Sequence, residues 1–567
     1  VGMDVTITAV TDSTLRISIS AVDELLDRYY EDGSVVPRSF AKPMLTLRMD
    51  AAEQEIPWGE YTIRIATRPL RIAVQHAQRG LVQELNFRPD LNQIGFSYNN
   101  APVYGMGPGA HPMDRRGVKD IMRNGAGDNL RIFGARNPIP WLMGKGWGLY
   151  FHEPGGQFDL SGDMGLFKPS DVARGQDVYL CVSPTPAGLL RQYAEITGFP
   201  HLPAKWTLGF QQSHRTIDSR EQILDEARTF REKKLPCDAM IYLGTGFCPS
   251  GWNTGHGSFV FNESVFPDPS AIVREFHDLH FNVVLHVVNP PENLHGKVTD
   301  AGLAASVPAD AANYWQQHVP LIKAGVDGWW PDEGDVLPVA SRLVRNRMYW
   351  EGGRMTTPNR RPFALHRNCY AGIQRWGWLW SGDTSSTWKT LETQIMMGIN
   401  AGLSGVPYWG TDIGGFVPTK EFTAELFVRW FQFGALEHRK LRGIGDGGER
   451  RVLPAQAGRS SQCRSGAHLP QVLEHPVTTD AVLVLGHLGD PQDGHSTDSQ
   501  PRSFIPRRSC GVGDGRCLSL RAKSAGCAGL RAGSDGTQGL PAGGRMVRLL
   551  DGEAHRRRHD RNRANVA

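Results

Sequence analysis

Two short stretches carry acids whose spacing invites chemistry. In "GVDGWWPDEGD", residues 325–335, Asp327, Asp332, Glu333 and Asp335 crowd around Trp329 and Trp330. In "QRWGWLWSGDTSSTWKTLETQI", residues 374–395, Trp376, Trp378 and Trp380 alternate and Asp383 follows Gly382. Two carboxylates on separate strand ends, one ionised and one protonated, can cleave a glycosidic bond. Indole faces stack on the C–H faces of sugars, so the tryptophans suit the same ligand class. The ordinary reading of such acids, each taken alone, is a surface or helix-capping role. Asp335 precedes the helical "VLPVASRLV", and Asp383 lies near the start of "TWKTLETQI".

Chemistry of that kind needs a frame that brings strand ends together. Residues 201–436 alternate strands such as "TLGFQQS", "AMIYLG", "FNVVLHVV" and "GVDGWW" with helical runs such as "SREQILDEARTFREKK" and "TLETQIMMGINAGLSG". No GxGxxG follows a strand, so the rhythm predicts a (β/α)8 TIM barrel rather than a doubly wound sheet. Asp332 directly follows its strand and points into the barrel mouth, whereas Asp327 precedes the tryptophans and Glu333 alternates away. Residues 1–200 instead show period-two segments, "DVTITAV", "TLRISISAV", "YTIRIAT" and "LRIAVQ", between turn formers. They predict an N-terminal β-sandwich.

Residues 437–567 break both patterns. All 15 Trp and 13 Tyr lie before this zone, where its length predicts about six or seven of them. Arginine is abundant, lysine scarce, and runs such as "HRRRHDRNRANVA" hold no period of 2 or 3.6. The zone reads as an aberrant, non-native C-terminal region, out of frame from a GC-rich gene, with an arginine-rich disordered tail as the alternative. An out-of-frame tail would leave the barrel incomplete, with exposed sheet edges.

Bulk properties narrow the partners. A chain of 567 residues is too long for one core, and a net charge of +4 gives no nucleic-acid signal. No apolar run approaches the roughly twenty residues of a membrane helix. The start lacks a basic-then-apolar leader, which favours a cytoplasmic location. Eight cysteines without CxxC spacing predict no metal site.

Three motifs together, "GVDGWWPDEGD", "WSGDTSSTWKTLETQI" and "GVPYWGTDIGGF", resemble glycoside hydrolase family 31. "FNESVFPDP" and the upstream "YGMGPGAHPMDRRG" are similar as well. The likeness covers about residues 1–435. It implies an α-glycoside substrate, no cofactor, and a retaining α-glycosidase related to α-glucosidases and α-xylosidases. By position it implies Asp332 as nucleophile, Asp383 as acid/base, and Arg367, sixteen residues before Asp383, as a sugar-binding residue. It further implies Trp330 and Trp380 as walls of the sugar pocket, Asp412 as its support, and Trp252 as a shaper of the neighbouring loop.

Two departures qualify that likeness. Where the family carries a sugar-binding aspartate this chain has Gly244, so Asp238 or a loop residue is a candidate substitute, and Trp252, His256 and Phe259 in the loop that follows are candidates to shape a different pocket. His438 and Arg439 stand near the place of an arginine-histidine element without matching its spacing. Transglycosylation by the same residues, and a non-catalytic carbohydrate-binding protein, are the alternative functions.

Overall fold

A computed structural model of the chain describes residues 3–442, apart from 22–31, 49–51, 89–90, 99, 110–111, 124–129, 171–175, 215–218, 247–249, 293, 295–308 and 437–439. The predicted tail from 443 onward, with His438 and Arg439, therefore lies outside the described residues.

The N-terminal third forms two antiparallel sheets. One orders Leu45–Arg48, Met3–Thr11, Thr14–Ala21, Gln176–Val182, Trp147–Phe151, Trp141–Gly144 and Tyr104–Gly105. The other orders Lys119–Ile121, Gly156–Asp159, Met164–Pro169, Gln93–Ser97, Gly80–Arg88, Leu70–His76, Tyr61–Thr67 and Gln54–Trp58. Period-two patterning decides which side chains meet: Ile63 and Ile65 face inward from one strand, and Ile72 and Val74 from its neighbour. This core runs without a break into the barrel, taking in Tyr370, Trp376, Met397 and Trp409. The sandwich is thus packed against the same elements that carry the candidate acids.

Among the described residues eight parallel strands follow, in barrel order. They are Phe210–His214, Ala239–Tyr242, Asn282–Val287, Gly328–Pro331, Leu365–His366, Trp378–Trp380, Trp409–Gly410 and Lys440–Arg442. Parallel ladders join the first to fourth strands, and the eighth lies beside the first. A bridge between Trp329 and Ala364 joins the fourth to the fifth, and ladders join the fifth to seventh. The described ladders do not close the ring between the seventh and eighth strands. The eighth strand lies just past residue 436, where the sequence pattern alone loses its rhythm.

The connecting helices start where side chains can satisfy free N–H groups. Ser219 caps Arg220–Glu232, Asp268 caps Pro269–Asp278, and Thr387 caps Trp388–Leu403. Each turns an apolar stripe inward, as with Ile223, Leu224, Ala227 and Phe230 on the first. Both capping readings of the candidate acids fall here. Thr387, not Asp383, caps the helix after the sixth strand, and the helix Val339–Thr356 has Pro338, not Asp335, at its N-cap.

Candidate active site

Asp332 stands immediately after the fourth barrel strand and is 7% exposed. Its backbone N–H donates to the Val287 carbonyl on the third strand, extending the ladder by one residue and fixing the side chain at the mouth. Four groups then hold it. His286 Nε2 lies 3.0 Å from Oδ2, Arg367 Nη1 donates to Oδ1 at 3.2 Å, and the Glu333 N–H donates to Oδ1 at 2.7 Å. The fully buried Arg345 donates to the Asp332 carbonyl at 2.8 Å.

These contacts decide the charge of the carboxyl. Burial by itself raises its pKa, but the hydrogen bond and charge of His286, the charge of Arg367 and the Glu333 N–H outweigh it. The group is held below the usual carboxylate range. Arg367 shows the reciprocal effect. Burial works against its charge, yet the carboxylates of Asp332, Asp335 and Asp383 raise its pKa above the ordinary value. Its second nitrogen, Nη2, lies 3.2 Å from Asp335 Oδ2. Asp335 is thus a partner of Arg367.

The neighbouring acids are occupied elsewhere. Asp327 precedes the strand and takes His277 Nε2 at 2.8 Å, Arg360 Nη1 at 2.8 Å and the Val283 N–H at 2.9 Å. Glu333 adopts a left-handed backbone, φ +56°, that turns its carboxylate to the Asn289 N–H. Its carbonyl accepts from Arg345 and Asn368.

Strand alternation separates the tryptophans. Trp329 points toward the helices and packs on Trp315, His318 and Tyr349. Trp330 points into the barrel interior, where its ring meets Trp380 edge-on at 5.1 Å and His286 at 5.0 Å. The indole N–H groups of Trp330 and Trp380 are buried and have no partner. Trp376 does not share a strand with Trp378 and Trp380; it ends the short 3-10 turn Ile373–Arg375.

Asp383 follows the sixth strand, with its side chain 32% exposed. Its carbonyl accepts from Arg131 at 2.9 Å, and Asp383 acts electrostatically on Arg367, which links it to the group around Asp332. Asp412, fully buried, follows the seventh strand, beside Thr411, which accepts from Ser381 of the adjacent strand end. Trp252 is fully buried and gives its N–H to the His286 carbonyl at 2.8 Å, so it buttresses the third strand.

Gly244 lies just beyond the second strand. A Cβ there would sit 3.2 Å from Asn253 Oδ1, so the asparagine amide fills that space. Asn253 is occupied by the Thr245 N–H and the Ser258 carbonyl. Asp238 precedes the second strand, at the opposite end of the barrel, and does not substitute at this place. His256 reaches across the mouth instead, 3.5 Å from Glu333 Oε1. A cavity of about 840 Å³ opens at that opposite end too, between Trp206, Asp327, Arg360 and Phe363, and neither Asp332 nor Asp383 lines it.

His286, Arg345 and Asn368 are site residues that motif reading passed over. The signal for His286 was present: a histidine inside the otherwise apolar strand "FNVVLHVV", one place before its end. The other two sit on a helix and a loop whose approach no spacing announces.

A family model described as the glycosyl hydrolases family 31 TIM-barrel domain matches residues 200–303 and 295–439, the span of this barrel. The barrel belongs to glycoside hydrolase family 31. Within that family, the chain is 27% identical over 382 residues to an alpha-xylosidase of Saccharolobus solfataricus, covering 58% of this chain and 50% of that protein. It is also 27% identical over 401 residues to alpha-glucosidase 2 of Bacillus thermoamyloliquefaciens, covering 59% and 49%. The chain spans about half the length of these curated relatives. Among solved structures, a Flavobacterium johnsoniae family 31 dextranase complexed with glucose shares the fold, with a TM-score of 0.70 at 20% identity, over 83% of this chain and 65% of that one.

Proposed function

We propose that this family 31 chain is a retaining α-glycosidase with Asp332 as nucleophile and Asp383 as acid/base. The observation that carries the reading is the state of Asp332: a buried carboxylate at a strand's carboxyl end, kept ionised by His286 and Arg367. A nucleophile needs that charge, and the carboxyl ends of barrel strands are where such a residue meets a substrate. The relatives named alpha-xylosidase and alpha-glucosidase support the substrate class.

In the first step an Asp332 oxygen attacks the anomeric carbon of the α-glycoside. The bond to the leaving oxygen breaks, and Asp383 gives that oxygen its proton. In the second step Asp383 removes a proton from water, which attacks the same carbon and releases Asp332. Two inversions leave the α configuration unchanged. A sugar hydroxyl in place of water gives transglycosylation through the same steps. Such a pair works with its carboxyl groups about 5–5.5 Å apart. Trp330 and Trp380, with two unpartnered N–H donors in the barrel interior, would face the sugar, and Arg367 would hold both a hydroxyl and the nucleophile.

The test is release of 4-nitrophenol from α-glucoside, α-xyloside and α-galactoside, with the anomer of the first sugar product read by proton NMR. Retention with any of the three supports the reading. Inversion, or no turnover of all three by folded protein, overturns it.

A further inference from the structure

The second carboxylate is held from outside the barrel. The segment 130–137 belongs to the sandwich region of the chain, yet it hydrogen-bonds along the loop and helix that follow the sixth barrel strand. Arg131 Nη1 donates to the Asp383 carbonyl at 2.9 Å and stands 3.9 Å from Asp383 Oδ2. The Arg131 carbonyl in turn accepts from the Ser385 N–H at 2.7 Å and from Thr390 Oγ1 at 3.3 Å. The Ile132 carbonyl accepts from Thr393 Oγ1 at 2.7 Å and Gln394 Nε2 at 3.0 Å. The Ala135 N–H donates to the Ser381 carbonyl at 2.7 Å. At Gly134, φ +88°, an added Cβ would stand 2.5 Å from the Ser381 carbonyl oxygen, so only glycine permits this approach.

We infer that Arg131 is a positioning residue for Asp383, supplied by the sandwich region and acting through the loop Ser381–Ser385. The inference rests on the acid/base reading of Asp383 given above. A guanidinium that donates to the main chain of the residue it also faces fixes both the path of the loop and the direction of the carboxyl. Its charge has a second effect. A cation near a carboxyl favours the ionised form, although both groups are part-exposed, 54% and 32%, and water weakens the attraction.

The other charges around Asp383 set the balance. Arg367 faces it from the loop after the fifth strand and is shared with Asp332 and Asp335. Asp412 stands at the end of the adjacent seventh strand. Arg131 thus adds a second positive charge to a neighbourhood of Arg367 and three further acids. Its removal tips Asp383 toward the protonated form and frees the loop. An acid catalyst loses activity on the basic limb of the pH profile, so that limb moves to higher pH while the rate below it falls.

The experiment uses the full chain with Arg131→Met, Arg131→Lys and Asp383→Asn. Aspartate carboxyl carbons are labelled with 13C and titrated by NMR, the Asp383 signal being assigned by its loss in Asp383→Asn. The expected result for Arg131→Met is an upward shift of the Asp383 midpoint by about half a pH unit, which Arg131→Lys reverses because it keeps the charge. In turnover, Arg131→Met is expected to lose about tenfold on an α-glycoside with a poor leaving group and under about twofold on the 2,4-dinitrophenyl glycoside, which needs little acid assistance. An unmoved midpoint, or equal losses on both substrates, overturns the inference. If Asp383→Asn keeps the full rate on the poor leaving group, the acid/base reading falls and takes this one with it. If Asp383→Asn loses that rate while Arg131→Met does not, the role of Arg131 alone falls.

Discussion

The imidazole Nε2 of His286 lies 3.0 Å from Oδ2 of Asp332, across two neighbouring parallel strands. The register produces this contact. His286 pairs with Trp330, so the residue two places further on projects to the same side of the sheet and meets the ring from above. Trp252 holds the His286 carbonyl and Trp330 packs on its ring. The histidine is therefore placed by the second-strand loop and the third and fourth strands together, and it supplies the hydrogen bond that most strongly keeps Asp332 ionised.

Asp332→Asn keeps the shape of the site but removes the charge that the proposed first step uses. We expect kcat to fall by about a thousandfold or more with every α-glycoside that the chain turns over. Stopped assays with purified variant read this directly. Retained activity within about tenfold of the parent would reassign the nucleophile.

His286→Phe removes the hydrogen bond and leaves the packing against Trp330. Hydrogen bonds to charged groups contribute about 1.5–3 kcal/mol. The depressed Asp332 pKa should therefore rise by about one to two pH units. As the proposed nucleophile Asp332 acts in its ionised form, so the acidic limb of kcat/KM is expected to move to higher pH by that amount while the basic limb stays. A pH profile with an unmoved acidic limb would show that His286 does not act through Asp332.

On the mechanism proposed above, Asp383→Ala removes the proton donor from the first step. The expected loss is about 10²- to 10⁴-fold on glycosides with poor leaving groups and much smaller on activated aryl glycosides. Added azide, which needs no deprotonation, should restore the second step and yield the α-glycosyl azide. Equal losses across leaving groups would argue for a binding role instead.

His318 gives a prediction about stability. It is fully buried behind Trp329, accepts or donates at Tyr349 Oη over 3.0 Å, and burial pushes its pKa down to about 3 from 6.5. In the unfolded chain it takes a proton below pH 6.5, whereas the folded chain refuses one until about pH 3. The unfolded state therefore binds more protons in that window, and stability falls with falling pH by up to roughly 1.4 kcal/mol per unit. His318→Phe should flatten this slope between pH 6 and 4 in urea unfolding, at the cost of the buried hydrogen bonds at neutral pH. An unchanged slope would contradict the buried neutral state.

Much of this arrangement was legible in the chain. Period-two segments announced the sandwich, alternating strands and helices announced the barrel, and an acid placed directly after "GWWP" announced where Asp332 would stand. Those features depend on neighbours in sequence, through strand alternation and the short reach of a strand end into its loop. The eighth strand was not legible, because Lys440–Arg442 is three residues set in a stretch without apolar period.

The sequence by itself determined which residues could do chemistry: two acids at strand ends, an arginine in "ALHRNCY", and indoles on the inward side. Tertiary structure decided what state those residues are in. His286, Arg367 and the Glu333 N–H converge on Asp332 from three different chain segments, and Arg131 reaches Asp383 from a region 252 residues earlier. Charge, hydrogen bonding and burial act through distance in space, so the pKa of an acid and the path of its loop are fixed only once the sandwich and barrel have packed together.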